Sequence, residues 1–509
     1  MEANPTIQNP TSVRLKEGER WWGGAVQDGS QMPFGQGVYE RDLRSDLGGN
    51  QATPLLLSNQ GRYVWSNDPF KLAFNNQFLH LEGGDLRLEE GSHDLRGACR
   101  EASRRYFPPQ GTMPDPIAFA APQFNTWMEM GYEPTQQGVL DYAQAILDHG
   151  IAPGILILDD GWSEDYGDWR FHPGRFPDPA AMTKHLKALG FSVMLWVVPF
   201  VSPDSAVARD LAGRGLLLRN SKGEVAIRHW WNGHSAVLDA THPRAIEWFN
   251  SKLDHLVETY GIAGFKMDGG DIDAYDAEDL AFAPTSPAGH CEAWGRVGLR
   301  YPLSEYRASW KLGGGPAIQR LRDKHHRWGR DGLADLIPNG LAQGLVGHAF
   351  VCPDMVGGGD IGTSFGTAID PELFVRTAQC SALFPMIQLS IAPWRVLDEE
   401  HLKYCLEALR LRTRFTPEIL DLARHAASTG EPIMRHLAYV HPEGDYEEVA
   451  DQFLLGNDIL VAPVLDPGAR SRRVIFPAGT WISDQGERLQ DEAEVDAPLG
   501  QLPWFRRSK

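Results

Sequence analysis

The pattern of apolar and polar positions changes twice along the chain. Up to about residue 112, short alternating runs such as Gly61-Arg62-Tyr63-Val64-Trp65 and Phe78-Leu79-His80-Leu81 stand between stretches rich in Gly, Asn, Gln and Asp. A period of two marks half-buried strands, and the residues between them are turn formers. An all-β domain, a sandwich, is therefore expected over residues 1–112. Pro108, Pro109, Pro114 and Pro116 punctuate its end.

From Ile117 onward, strand and helix patterns alternate. Residues 117–123 are apolar and predict a strand. Residues 135–149 predict a helix stopped by Gly150. Residues 154–158 form a buried run that ends in Asp159-Asp160-Gly161-Trp162. A helix over 180–189, a strand over 192–198, a helix over 243–260 and a strand over 265–267 continue the series. Fainter strands are predicted at 305–308, 317–321, 348–352 and 386–389, with helices over 332–345 and 372–383 among them. About eight strand–helix units in roughly 300 residues predict a (β/α)8 barrel, assigned to residues 113–425. A doubly wound sheet is the alternative, and no G-x-G-x-x-G turn follows the first strand to support it. Past Arg424, short strand patterns around turns such as Asp466-Pro467-Gly468 and Pro477-Ala478-Gly479 predict a small β-domain over 426–509. The expected class is α/β, a TIM barrel flanked by an N-terminal β-sandwich and a C-terminal β-domain.

Composition narrows the partners. The 509 residues carry 48 Lys+Arg against 67 Asp+Glu, a net charge of −19. That balance disfavours nucleic acid and anionic membranes. No apolar run is long enough to span a bilayer, and residues 1–24 lack the apolar segment of a secretory leader. A cytoplasmic protein is the expectation. The five cysteines form no C-x-x-C pair, which argues against a disulfide framework and a zinc ribbon. Many of the 16 Trp sit beside Gly, Asn or Asp. Such residues suit the faces of sugar rings, although a Trp-rich core accounts for them equally.

Active residues of a barrel sit at the C-terminal ends of its strands. Those ends carry Trp127, Asp159, Asp160, Trp162, Trp196, Asp268, Arg307, Asp323 and Asp354, with Trp394 and Arg395 after the last strand. Carboxylates, arginine and tryptophans together describe a sugar pocket. Its centre is Gly264-Phe265-Lys266-Met267-Asp268-Gly269-Gly270-Asp271. Lys266 shares a strand face with Asp268, and its charge favours the ionised carboxylate. Two glycines then let the chain turn and leave room for a ligand. An ionised Asp at that place is a natural nucleophile; a strand-ending Asp before a Gly turn is the purely structural alternative. Asp268, Asp271 and Asp273 lack the spacing of a calcium loop. His325-His326 read as solvated loop residues, and neither a metal nor a cofactor is expected.

These stretches resemble glycoside hydrolase family 31. Phe265 to Asp271 is similar to that family's nucleophile motif. Arg320-Leu321-Arg322-Asp323, followed by Trp328-Gly329-Arg330-Asp331-Gly332-Leu333, is similar to its acid/base segment. Arg228-His229-Trp230-Trp231-Asn232-Gly233, Asp239-Ala240-Thr241-His242-Pro243, Pro353-Asp354-Met355-Val356-Gly357-Gly358 and Gln388 to Arg395 extend the likeness. It is strongest to the branch containing the myogenesis-regulating glycosidase and its bacterial relatives. The resemblance implies Asp268 as nucleophile, Asp323 as general acid/base and Arg307 as a substrate contact. It also implies Asp159, Asp160, Trp162, Trp196, Trp231, Lys266 and Asp354 as substrate-binding residues, with no metal. The wider family's Trp-x-Gly-Asp and His-Asp-Ile-Gly-Gly patterns are absent here, and Asp159-Asp160-Gly161-Trp162 is similar to α-galactosidases of related barrels. The implied activity is a retaining exo-α-glycosidase acting on an oligosaccharide or small α-glycoside, galactoside slightly ahead of glucoside. A transglycosylase and a non-catalytic carbohydrate-binding barrel are the alternatives. The sequence does not specify an oligomeric state.

Overall fold

Thr135 opens the first barrel helix, because its hydroxyl accepts from the Gly138 N–H at 3.1 Å and satisfies a free donor of the first turn. The helix, α1 (Gln136–Asp148), buries Val139, Tyr142, Ala143 and Ile146, one stripe at helical spacing. Gly150 stops it at φ +71°. The same grammar sets α2 (Pro179–Ala188, capped by Asp178), α3 (Pro243–Tyr260, ended by Gly261) and α4 (Pro287–Val297, capped by Ser286). α5 (Leu333–Leu345), α6 (Pro371–Ala382) and α7 (Glu399–Thr429) complete the outer ring. A computed structural model describes residues 6–90, 93–364 and 366–508 of the chain. The first five residues, part of the stretch read for a leader, lie outside the described residues.

The barrel strands are β1 (Gln123–Asn125), β2 (Ile155–Leu158), β3 (Ser192–Val197), β4 (Gly264–Met267), β5 (Leu303–Tyr306), β6 (Ile318–Arg320), β7 (Val351–Cys352) and β8 (Gln388–Leu389). They pair in parallel from β7 through β1 and on to β8. A parallel bridge between Val356 and Leu389 joins the two ends of the row. Trp196 is level with Lys266 and Lys266 with Glu305 across β3, β4 and β5, so these side chains leave the sheet on the same side.

Three departures from the sequence pattern have local causes. Residues 117–120 form a helical turn, not a strand, because Asp115 accepts from the Ile117 N–H after Pro116. The β5–β6 connection contains no helix. Its Ser309–Trp310 pairs instead with Gln51 and Ala52 of the N-terminal sheet. The N-terminal region also holds a helix, Leu95–Tyr106, capped by Asp94 and buried along Leu95, Ala98, Cys99 and Ala102. The rest of that region is two β-sheets whose apolar faces share one core with the barrel. Beyond Gly430 a six-stranded antiparallel sheet packs its own core of Leu454, Leu460, Phe476, Trp481 and Phe505. Among the described residues no helix is long and apolar enough to cross a membrane.

Candidate active site

The C-terminal ends of the barrel strands enclose a cavity of about 580 Å³. β4 delivers Lys266 and Asp268 to its floor, and Gly269 and Gly270 turn the chain away at φ +59° and +69°. A Cβ on Gly270 would lie 2.5 Å from the Trp294 ring, so the turn admits no side chain there. Asp159 and Asp160 follow β2, Trp196 stands on β3, Arg307 follows β5 and Asp323 lies past β6; all of them line the cavity. A hairpin inserted between β3 and α3, Ile227–Trp230 with Gly233–Val237, brings Trp230 and Trp231 to the wall.

Asp268 is surrounded by donors and cations. Its Oδ1 accepts from Arg307 Nε at 2.9 Å and from the Gly269 N–H at 2.8 Å, and its Oδ2 accepts from Trp196 Nε1 at 3.0 Å. Lys266 Nζ is 3.9 Å from Oδ2. Burial raises the carboxyl, but Arg307, Lys266 and Arg320 outweigh it and hold Asp268 well below the usual carboxylate range. Lys266 is fixed by Asp159 at 2.7 Å, and that charge overcomes the burial that would neutralise it. Asp160 has the opposite fate. Burial and the neighbouring Asp159 push it up to about 7, although Tyr166 and Asn232 donate to it. Asp323 keeps a side chain 37% exposed and accepts from Arg320 Nη1 at 2.8 Å. A buried carboxylate that its neighbours hold toward the ionised form thus faces the same cavity as a solvent-touching one.

Over residues 112–311 the chain matches the glycosyl hydrolases family 31 TIM-barrel domain, and over 430–509 the family 31 C-terminal domain. The myogenesis-regulating glycosidase of Mus musculus is 33% identical over 93% of this chain and 72% of its own length. The chain belongs to glycoside hydrolase family 31. This family 31 glycosidase is also 27% identical to the 1,3-alpha-isomaltosidase of Kribbella flavida, over 73% of the chain but only 54% of that enzyme. A Flavobacterium johnsoniae family 31 dextranase, solved with glucose, superposes with a TM-score of 0.86 over all of this chain and 67% of its own; at 21% identity it carries the fold alone.

Two residues expected on the wall of the glycosidase lie elsewhere. Trp162 is fully buried: its Nε1 donates to the Trp196 carbonyl and its ring packs with Trp169 and Phe171. The turn at Gly161, φ +88°, sends it inward behind the wall. Asp354 is also buried and off the cavity, receiving Arg320 Nη1 at 2.8 Å and the N–H groups of Lys324 and Gly359. Trp394 stacks on His149, and Arg395 pairs with Glu129, away from the site. His325 and His326 are half-buried rather than solvated; His326 Nε2 accepts from the Asp370 N–H. Trp231 stays 51% exposed at the mouth, with Arg307 over its ring.

The sequence reading missed the N-terminal contribution. Gly49 O accepts from Arg307 Nη1 at 2.6 Å, and Gln51 Nε2 donates to the carbonyls of Arg307 and Arg320. Asp271 clasps the far side of Arg307 at 2.8 and 3.0 Å. The Asp271 signal was present beside Asp268. Gly49 sits in a plain turn sequence more than 200 residues before its partner, so no local pattern could mark it. Among the described residues, no three His, Cys, Asp or Glu side chains are grouped to hold a metal ion.

Proposed function

We propose that this enzyme is a retaining, exo-acting α-glycosidase that releases a terminal α-linked hexose, galactose in preference to glucose, through a covalent glycosyl–Asp268 intermediate. The observation that carries the reading is Asp268 itself. It is held ionised by Arg307 and Lys266 on the floor of a cavity that Asp323 also lines. In the first step an Asp268 oxygen bonds to the anomeric carbon as the glycosidic C–O bond breaks, and Asp323 gives its proton to the departing oxygen. In the second step Asp323 takes a proton from water, which attacks the same carbon and frees Asp268. Direct attack of this kind asks for carboxyl groups roughly 5–5.5 Å apart. Trp196 lines the cavity and holds Asp268 Oδ2.

The exo reading rests on Asp159 and Asp160, which follow one strand, and Trp196 on the next, which line the cavity together. The Asp159 and Asp160 carboxyl groups there can hydrogen-bond the hydroxyls farthest from the anomeric carbon. The galactose preference rests on the Asp159-Asp160-Gly161-Trp162 likeness and on the missing glucosidase patterns. The test is a panel of nitrophenyl α-galactoside, α-glucoside and α-xyloside, with proton NMR of the first-formed sugar. The expected result is fastest turnover of the galactoside and release of the α-anomer. Release of the β-anomer would overturn retention, and a faster glucoside would overturn the sugar assignment.

A further inference from the structure

Arg320 is fully buried at the end of β6 and is surrounded by three carboxylates. Its Nη1 serves three acceptors at once: Asp323 Oδ1 at 2.8 Å, Asp354 Oδ1 at 2.8 Å and the Leu321 carbonyl at 3.0 Å. Nη1 has only two protons for these three acceptors, and Asp323 and Asp354 are held on the same donor group. Asp354 Oδ2 meanwhile accepts from the Lys324 N–H at 2.6 Å and the Gly359 N–H at 2.9 Å, which ties down the residue after Asp323 and a loop beside it. A Cβ placed on Gly359 would lie 2.8 Å from Asp354 Oδ1 and 2.9 Å from Asp323 Oδ1, so both carboxylates crowd that glycine.

We propose that Asp354 is a positioning residue for the acid/base: it shares the Arg320 guanidinium with Asp323, fixes the backbone on either side, and so sets how firmly Asp323 keeps its proton. The inference rests on Asp323 being the acid/base. The charged groups around Asp354 are Arg320, Asp323 and Lys324 from the β6 end and Glu305 behind Arg320 on β5, and the buried, neutral Cys352 thiol faces it from β7. Lys266 and Asp268 act on the same Arg320–Glu305 group from β4. Burial, offset in part by Arg320, pushes the Asp354 carboxyl up, and the charge on Asp323 adds to it. Two carboxylates that share one cation repel each other, so the charge on one weakens the hold of the cation on the other. An acid that must still be protonated at neutral pH gains from that repulsion.

The experiment is the pH dependence of kcat/KM for Asp354→Asn, on a nitrophenyl and on an alkyl α-glycoside, with Asp323→Ala alongside. Removing the Asp354 charge leaves Arg320 with Asp323 and Glu305 only, which favours the Asp323 carboxylate. The alkaline limb should then move down by about one pH unit, with roughly a tenfold loss on the alkyl substrate at its alkaline end and little on the nitrophenyl one. Gly359→Ala, which presses on both carboxylates, should give the same selective loss and decides the matter if Asp354→Asn does not fold. An unmoved limb with equal loss on both substrates overturns the proposal. If Asp323→Ala also fails to discriminate between the substrates, it is the acid assignment that has failed; if only the Asp354 and Gly359 variants fail to, the positioning role alone is wrong.

Discussion

Arg307 meets Asp268 edge-on, Nε to Oδ1 at 2.9 Å, while its two Nη atoms grip Asp271 and the Gly49 carbonyl. The charge that keeps Asp268 ionised is thus itself held both by Asp271 and by Gly49 of the N-terminal region. Arg307→Ala should free burial to raise Asp268. Because Asp268 must be ionised to attack, the acid limb of kcat/KM should move to higher pH. The loss at neutral pH should be about a hundredfold, or roughly 2.7 kcal/mol of barrier. A limb at the wild-type position would show that Arg307 does not control the Asp268 charge.

Asp323 has a neighbouring rival in Asp331. Asp331 sits at φ +56° among Arg322, Lys324 and His325, at 2.8, 3.6 and 3.4 Å, and does not line the cavity. Asp323→Ala should spare aryl glycosides, whose phenolate leaves with little help, and fail on alkyl glycosides. Asp331→Ala should show no such selection. The reverse pattern in steady-state kinetics would move the acid to Asp331.

The cavity wall that carries Asp159 and Asp160 should decide between sugars that differ only in the direction of one hydroxyl. A site built to pair a hydroxyl rejects a misplaced one by as much as roughly 10⁴-fold, since its own polar groups go unpaired. The wild type should prefer the galactoside strongly, and Asp159→Ala or Asp160→Ala should erase that preference. Equal kcat/KM for galactoside and glucoside in the wild type would show that this wall does not read the hydroxyl.

Asp160 also leaves a mark on stability. Its folded value, about 7, lies above the roughly 3.9 of an unfolded Asp. Between those values the unfolded chain gives up a proton that the folded one keeps, so rising pH erodes stability through this group until about pH 7. From pH 5 to 8, denaturant unfolding of Asp160→Asn should gain on wild type by about 2 kcal/mol. Parallel curves would mean that Asp160 is not held protonated.

What was legible in the sequence follows from where each signal resides. Capped helices such as Gln136–Asp148 and Pro243–Tyr260 carry local stop signals, so their ends were readable. Asp159, Trp196, Lys266, Asp268, Arg307 and Asp323 were readable as a set because barrel topology gathers strand ends into one place. Trp162 and Asp354 misled because a strand end does not say which way its side chain turns. Gly161 sends the first inward, and Arg320 draws the second beneath the floor. Gly49 and Gln51 gave no signal, since their role exists only once the N-terminal sheet has docked through Ser309 and Trp310.

The measurement that bears most directly on the central claim is covalent capture of the intermediate. A fluorinated α-galactosyl fluoride, whose ring fluorine slows the second step, is incubated with the enzyme, and the digest is mapped by mass spectrometry. The result expected is a single glycosyl adduct on the Asp268 carboxylate, absent from Asp268→Asn. An adduct on any other carboxylate, or time-dependent turnover with no adduct on the wild type, would contradict the assignment of Asp268 as nucleophile.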